Sequence, residues 1–168
     1  MTEAAAMNRF LAAIHRHLRQ PPSDVFCHFV KNGETRAIAW AELRGRIAGF
    51  AAAYRARDLA SGGAVAIFLR HDPALHASYL AAMMCGLTPT FLPCPSPRQD
   101  PAIYWESLRH LLAHLDGAAI VVDRATLAEM RAACLAPDPR RVILADDVAT
   151  GGELPTAAIG DQAIALLQ

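Results

Sequence analysis

Apolar residues along the first third of the chain switch between two periods. Met7, Phe10, Leu11, Ile14 and Leu18 recur at three- and four-residue spacing, which predicts an amphipathic helix over residues 4–19. Pro21-Pro22 ends it, because proline lacks an amide hydrogen and restricts the residue before it. Residues 25–30 then read as a strand, and residues 35–39 as a second strand. Asn32-Gly33 between them suits a turn with positive φ, so the pair is expected to form a hairpin. The helical period returns over residues 40–57, where Leu43, Ile47, Phe50, Ala51 and Tyr54 share one face.

Beyond Ser61-Gly62-Gly63 the pattern becomes an alternation. Residues 64–69 are a continuous apolar run, as in a parallel strand covered on both faces. Asp72-Pro73 predicts a helix start, with an acidic cap and proline at the first helical position. Leu75, Tyr79, Leu80, Met83 and Met84 carry its apolar face, and Gly86 supplies the stop. A short strand is expected over residues 88–92, followed by a stiff connection containing Pro93, Pro95 and Pro97. Asp100-Pro101 repeats the start signal, and Tyr104, Leu108, Leu111, Leu112 and Leu115 line the next buried face as far as Gly117. Then come a strand at 118–122, a short helix at 126–134, a strand at 142–144 and a last apolar strand at 163–167. The expected fold class is α/β: a mainly parallel sheet with flanking helices and right-handed crossovers, preceded by a helix and a β-hairpin. The expected layout is one sub-domain over residues 1–168, with a leading helix to residue 22, the hairpin over 23–40 and the alternating unit from 41 onward.

Composition adds exclusions. At 54% hydrophobic the 168 residues can build a core, and 16 basic against 16 acidic residues leave no footprint for nucleic acid. The four cysteines form no C-x-x-C pair and no secretory signal opens the chain, so free thiols in the cytoplasm are expected. No apolar run approaches the roughly 20 residues of a membrane span.

Three stretches carry a family resemblance. Ile38-Ala39-Trp40-Ala41-Glu42-Leu43 resembles the first core motif of the adenylate-forming (AMP-binding) superfamily, an aromatic residue followed by Glu and Leu. Gly63-Ala64-Val65-Ala66-Ile67-Phe68-Leu69 resembles its next strand, with Ala64 where an Asp is usual. Residues 81–93, a helix end, Gly86 and a strand leading to Pro93, resemble its second core motif, with Thr88-Pro89-Thr90 replacing a small-Tyr segment. The resemblance spans most of the chain from Ile38 onward. It implies the amino-terminal part of an AMP-forming carboxylate ligase, similar to acyl-CoA synthetases and fatty-acyl-AMP ligases. The whole enzyme would then need ATP and magnesium, a carboxylic acid (a fatty acid in the nearest subfamilies), and a thiol acceptor, CoA or a carrier protein.

The phosphate-handling residues of such an enzyme are not legible here. No glycine-rich phosphate loop of either common type is present, Gly151-Gly152 is followed by the acidic Glu153, and the lone lysine, Lys31, falls in the hairpin turn. Ile164-Ala165-Leu166-Leu167-Gln168 resembles the strand that precedes the family's Ser/Thr/Gly-rich loop. The expectation is therefore a domain truncated before that loop, inactive alone, with no catalytic, nucleotide or metal residue. Its partners would be the remainder of its own chain and, through open edges, a second copy. A stand-alone, non-catalytic α/β binding or interaction module is the alternative, and a flavodoxin-like enzyme a third reading.

Other candidate chemistry is sparse. His71 follows a parallel strand, where α/β sheets place ligands, and is the one candidate for lining a substrate pocket. His110 and His114 have metal-ligand spacing without an evident acidic or cysteine partner, so a solvated face explains them. Cys94 lacks an activating neighbour in sequence, Cys85 and Met83-Met84 read as core, and no G-x-S-x-G elbow is present. Arg9, Arg16 and Arg19, with His15 and His17, make the first helix basic; a solvated outer face or a membrane surface would each suit it.

Overall fold

The computed structural model describes residues 9–96, 98–115 and 117–155. Helix α1 (Arg9–Arg19) is followed by strands β1 (Val25–Lys31) and β2 (Glu34–Ala39), then α2 (Trp40–Arg55), β3 (Ala64–Phe68), α3 (Ala74–Met84) and β4 (Thr88–Phe91). Next come α4 (Pro101–His114), β5 (Ala119–Val122), α5 (Arg124–Ala132), β6 (Val142–Leu144) and a short 3-10 turn at Ala145–Asp147. The helix expected before Arg9 and the strand expected at 163–167 lie outside the described residues.

β1 and β2 form the predicted antiparallel hairpin, with Asn32 at φ 53° and Gly33 at φ 82° in the turn. Strands β3 to β6 form a separate, wholly parallel sheet in the order β4-β3-β5-β6. The period of two sorts the side chains of this sheet onto two cores. Val65, Ile67, Ala119, Val121 and Ile143 join one core with α1, α2 and α3. Ala66, Phe68, Ile120 and Val122 join the other with α4 and α5. A sheet covered on both faces needs continuous apolar runs, which is why Ala64–Phe68 and Ala119–Val122 lack polar residues.

The strand order also explains which helix lies where. Moving from β3 to β4 takes the chain one way across the sheet, with α3 on the first face. Moving from β4 over β3 to β5, and on to β6, takes it the other way, with α4 and α5 on the second. Reversing both direction and face keeps the crossovers of one hand, as right-twisted strands require. The reversal makes β3 and β5 a topological switch point.

Local chemistry sets the helix ends. Asp100 caps α4, accepting from the Ala102 amide at 2.8 Å and the Ile103 amide at 3.2 Å. Asp123 caps α5 by accepting from Thr126 at 2.6 Å, so this helix starts two residues before the apolar pattern suggested. At α3 the acid–proline pair works differently from expectation. Pro73 occupies the cap position, and Asp72 accepts from the Ala74 amide at 2.7 Å one turn position earlier. Helices α2 and α3 are joined by a buried bond, Tyr54 Oη donating to the Ser78 carbonyl at 3.0 Å. The segment after β6 crosses α2 closely: the Gly151 amide donates to the Gly45 carbonyl at 2.9 Å, and a Cβ on Gly49 would stand 1.9 Å from the Ala149 oxygen.

Candidate functional site

In open α/β sheets ligands bind outside the carboxyl ends of the strands at the switch point. Here that places attention on the residues leaving β3, β4 and β5. Arg70, just beyond β3, donates to Glu129 on α5 and acts electrostatically on the Cys94 thiol beyond β4. Asp123 ends β5 and is already committed to its helix cap. Tyr104 of α4 donates to the Pro93 carbonyl at 2.6 Å, with Trp105 edge-on at 4.9 Å.

The electrostatics of this cluster favour neutral, protonated groups. Burial pushes the Cys94 thiol up; Arg70 opposes the effect, while Asp123 and Glu129 add to it. Burial likewise pushes Tyr104 up to about 12, with the nearby Cys94 adding to the rise. A protonated thiol is a poor nucleophile and a phenol so shifted is no base near neutral pH. Chemically, the crevice can hold its strand connections in place and present the exposed Arg70–Glu129 pair. Arg70 and Glu129 are 59 residues apart, and no local pattern could have joined them.

His71 points elsewhere. Its Nε2 lies 3.0 Å from the Val30 carbonyl, and its ring centroid is 5.0 Å from that of Phe29. With Cys27, His28, Phe29, Asp72, Leu75 and His76 it lines a cavity of about 140 Å³ between the hairpin and the start of α3. His76 meets Phe26 and Phe29 edge-on at 5.7 and 5.8 Å. Desolvation, with repulsion from His71 second, lowers its pKa from 6.5. The first family-like motif is part of this joint. Trp40 stacks on His17 and meets Phe26 at 5.0 Å, Leu43 is buried, and Glu42 accepts from Arg36 at 2.8 Å and Arg46 at 3.0 Å. Those motif residues fasten the hairpin and α1 to α2.

His110 and His114 both face solvent, His110 against Glu106 Oε1 at 2.9 Å and His114 against the His110 carbonyl at 2.7 Å. Glu106 is the acidic partner the sequence reading missed, one helical turn before His110. Among the described residues no group of three His, Cys, Asp or Glu is placed to hold a metal ion. A larger open cavity of about 500 Å³ lies between α2, α5 and β6. Its Arg57 donates to the Ala53 carbonyl at 3.0 Å and to the Val142 carbonyl, tying the end of α2 to β6.

A triphosphate needs free backbone amides or cations, and several of the candidate amides are already taken. The Gly62 amide donates to the Gly86 carbonyl at 2.8 Å, and the Gly63 amide to Ala60 at 2.8 Å. The Gly151 amide is taken by Gly45. Helices α4 and α5 have carboxylates on their amino ends, where a phosphate would need to sit.

Residues 14–164 match the profile of the AMP-binding enzyme family. The chain belongs to that family. No curated protein matches it. Among solved structures, the fatty acyl-adenylate ligase of L. pneumophila in complex with acyl adenylate and pyrophosphate is similar, with a TM-score of 0.76 and 14% identity over 99% of this chain and 28% of that one. An adenylation domain of a keto acid-selecting NRPS module bound to keto acyl adenylate gives 0.64 and 18%, over 90% and 31%. The Klebsiella oxytoca NpsA N-terminal subdomain gives 0.65 and 19%, over 99% and 39%. The fold is therefore that of the amino-terminal part of adenylate-forming enzymes, and the chain spans under a third of the ligase's length. Among the described residues no helix is long and apolar enough to cross a membrane.

Proposed function

We propose that this chain is the amino-terminal scaffold of an ATP-dependent, AMP-forming carboxylate ligase, similar in kind to the fatty-acyl-AMP ligases. The observation that carries this reading is the family match over residues 14–164, joined to a fold shared with ligases and adenylation domains alike. The whole enzyme would condense a carboxylate with ATP, release pyrophosphate, and pass the acyl group to a thiol, in CoA or on a carrier protein. Magnesium would accompany the nucleotide, and the cytoplasm would supply both.

In this reading the chain contributes shape and no catalytic group. The amides of Gly62, Gly63 and Gly151 are internally bonded, the amino ends of α4 and α5 carry carboxylates, and the crevice thiol and phenol stay protonated. The phosphate loop that the family resemblance implies would come from the remainder of the polypeptide. A fatty acid as substrate is favoured by the acyl-adenylate ligases among its neighbours, whose bound acyl adenylate is the product this chemistry makes.

The test is exchange of labelled pyrophosphate into ATP. The complete reading frame containing residues 1–168 should catalyse it only when a carboxylic acid is added, with long-chain fatty acids above amino acids and aryl acids. The 168-residue chain alone should neither exchange nor bind ATP. Failure of the complete protein with every acid class would overturn the ligase reading. Micromolar ATP binding by the chain alone would overturn its role as scaffold.

A further inference from the structure

The hairpin is attached to the body in an unusual way. Among the described residues β1 and β2 pair only with each other, and neither shares a backbone ladder with the four-stranded sheet. Their hold on the body is made by side chains. Ile38 and Phe29 are buried, and Phe26 packs against the core of α2 and α3. The outer part of that hold is a seam in which two imidazoles, His71 and His76, bracket the ring of Phe29 at 5.0 and 5.8 Å, with His76 also against Phe26. A polar contact crosses it, His71 Nε2 to the Val30 carbonyl.

We propose that the β1–β2 hairpin is a flap held on the start of α3 by this imidazole–aromatic seam, and that mild acid releases it. Placing a positive charge on His76, out of water beside Phe26 and Phe29, is unfavourable. Around the seam, burial and then His71 are what hold the proton off His76. Asp72 accepts from the Ala74 amide at the head of α3. Cys27 on β1 is held protonated, its pKa raised by desolvation and then by Glu42. His28 on β1 also lines the cavity, and His17 on α1 stacks on Trp40 beyond Phe26. Glu42 on α2 is shared between Arg36 and Arg46. Once undocked, a two-stranded hairpin has little stability of its own and melts.

The sign follows from linkage. The docked His76 binds its proton below the ordinary value of 6.5, while the undocked one binds at that value. As pH falls through 6.5 the open state takes up the proton first, so docking weakens until the docked group also titrates. At higher pH both states are neutral and the full docking energy is present.

The experiment is native-state hydrogen exchange on the 168-residue chain, read as protection factors between pH 7.5 and 5. Amides of residues 25–39 should lose protection by at most about tenfold per pH unit for each proton taken up. Amides of β3 and β5 should keep theirs. In His76→Gln, which keeps a neutral polar side chain, the hairpin should be equally protected at both ends of the range. Unchanged hairpin protection in the native chain would overturn the proposal. So would loss of protection in β3 and β5 together with the hairpin, or a pH dependence that persists in His76→Gln. His71→Gln gives an independent variant, expected to shrink the loss of protection, because without His71 the docked His76 binds its proton nearer the ordinary value.

Discussion

At the scale of single residues, two glycines on one helix make opposite predictions. Both Gly45 and Gly49 lie in α2, where alanine is the better helix former by up to ~1 kcal/mol. A Cβ on Gly45 would meet only ordinary contacts, the nearest at 3.6 Å. On Gly49 it would strike the Ala149 carbonyl at 1.9 Å, which is backbone and cannot swing aside. Gly45→Ala should therefore hold or raise stability, while Gly49→Ala should lower it by about 1–3 kcal/mol, the usual cost of overpacking. Urea denaturation of the two variants decides this, and equal midpoints would mean that the crossing segment is loosely held. Neither glycine was legible as a contact point, since the partner segment is about a hundred residues away in sequence. Arg70 and Glu129 escaped for the same reason. His71 was legible as a residue just past a strand. Its commitment to the hairpin was not, because nothing in the local sequence says where a hairpin will fold back.

At the scale of elements, nearly every helix and strand among the described residues follows from a local signal. Apolar period, Asn32-Gly33, Gly86 and the aspartate caps each act within a few residues, and they agree with one another. The exceptions are at the edges of elements. The 3-10 turn at Ala145–Asp147 has no apolar pattern, and α5 begins early because a cap, rather than a hydrophobic residue, sets its start. Caps therefore offer a measurable claim. Asp100 satisfies two orphan amides of α4, so Asp100→Ala should cost ~1 kcal/mol, and Asp100→Asn, which keeps an acceptor oxygen, only a few tenths. Thermal unfolding of both variants reads the difference. An alanine variant as stable as the parent would show that Pro101 at the first turn suffices to start the helix.

At the scale of the whole molecule, the two edges of the parallel sheet are not equivalent. β4 carries Pro89, which has no amide to offer a neighbour, so this edge resists pairing. β6 is Val142-Ile143-Leu144, apolar and free of proline, and among the described residues it pairs on one side only, with β5. Such an edge is a template for a second strand. One acceptor on it, the Val142 carbonyl, is covered by Arg57 reaching from the end of α2. Desolvation lowers the pKa of that guanidinium, yet it stays charged at any working pH. Arg57 thus blocks part of the edge with a charged group, a means of discouraging association. The isolated chain should self-associate as concentration rises, and Arg57→Ala should do so at lower concentration, because it frees the carbonyl and removes the charge together. Arg131→Ala removes a charge from the same cavity without uncovering that carbonyl, so it should behave as the parent does. Light scattering across a concentration series of the three proteins separates the causes. If Arg131→Ala associates as readily as Arg57→Ala, lost charge rather than an opened strand edge governs the process; if all three remain monomeric, the β6 edge is shielded by something other than Arg57.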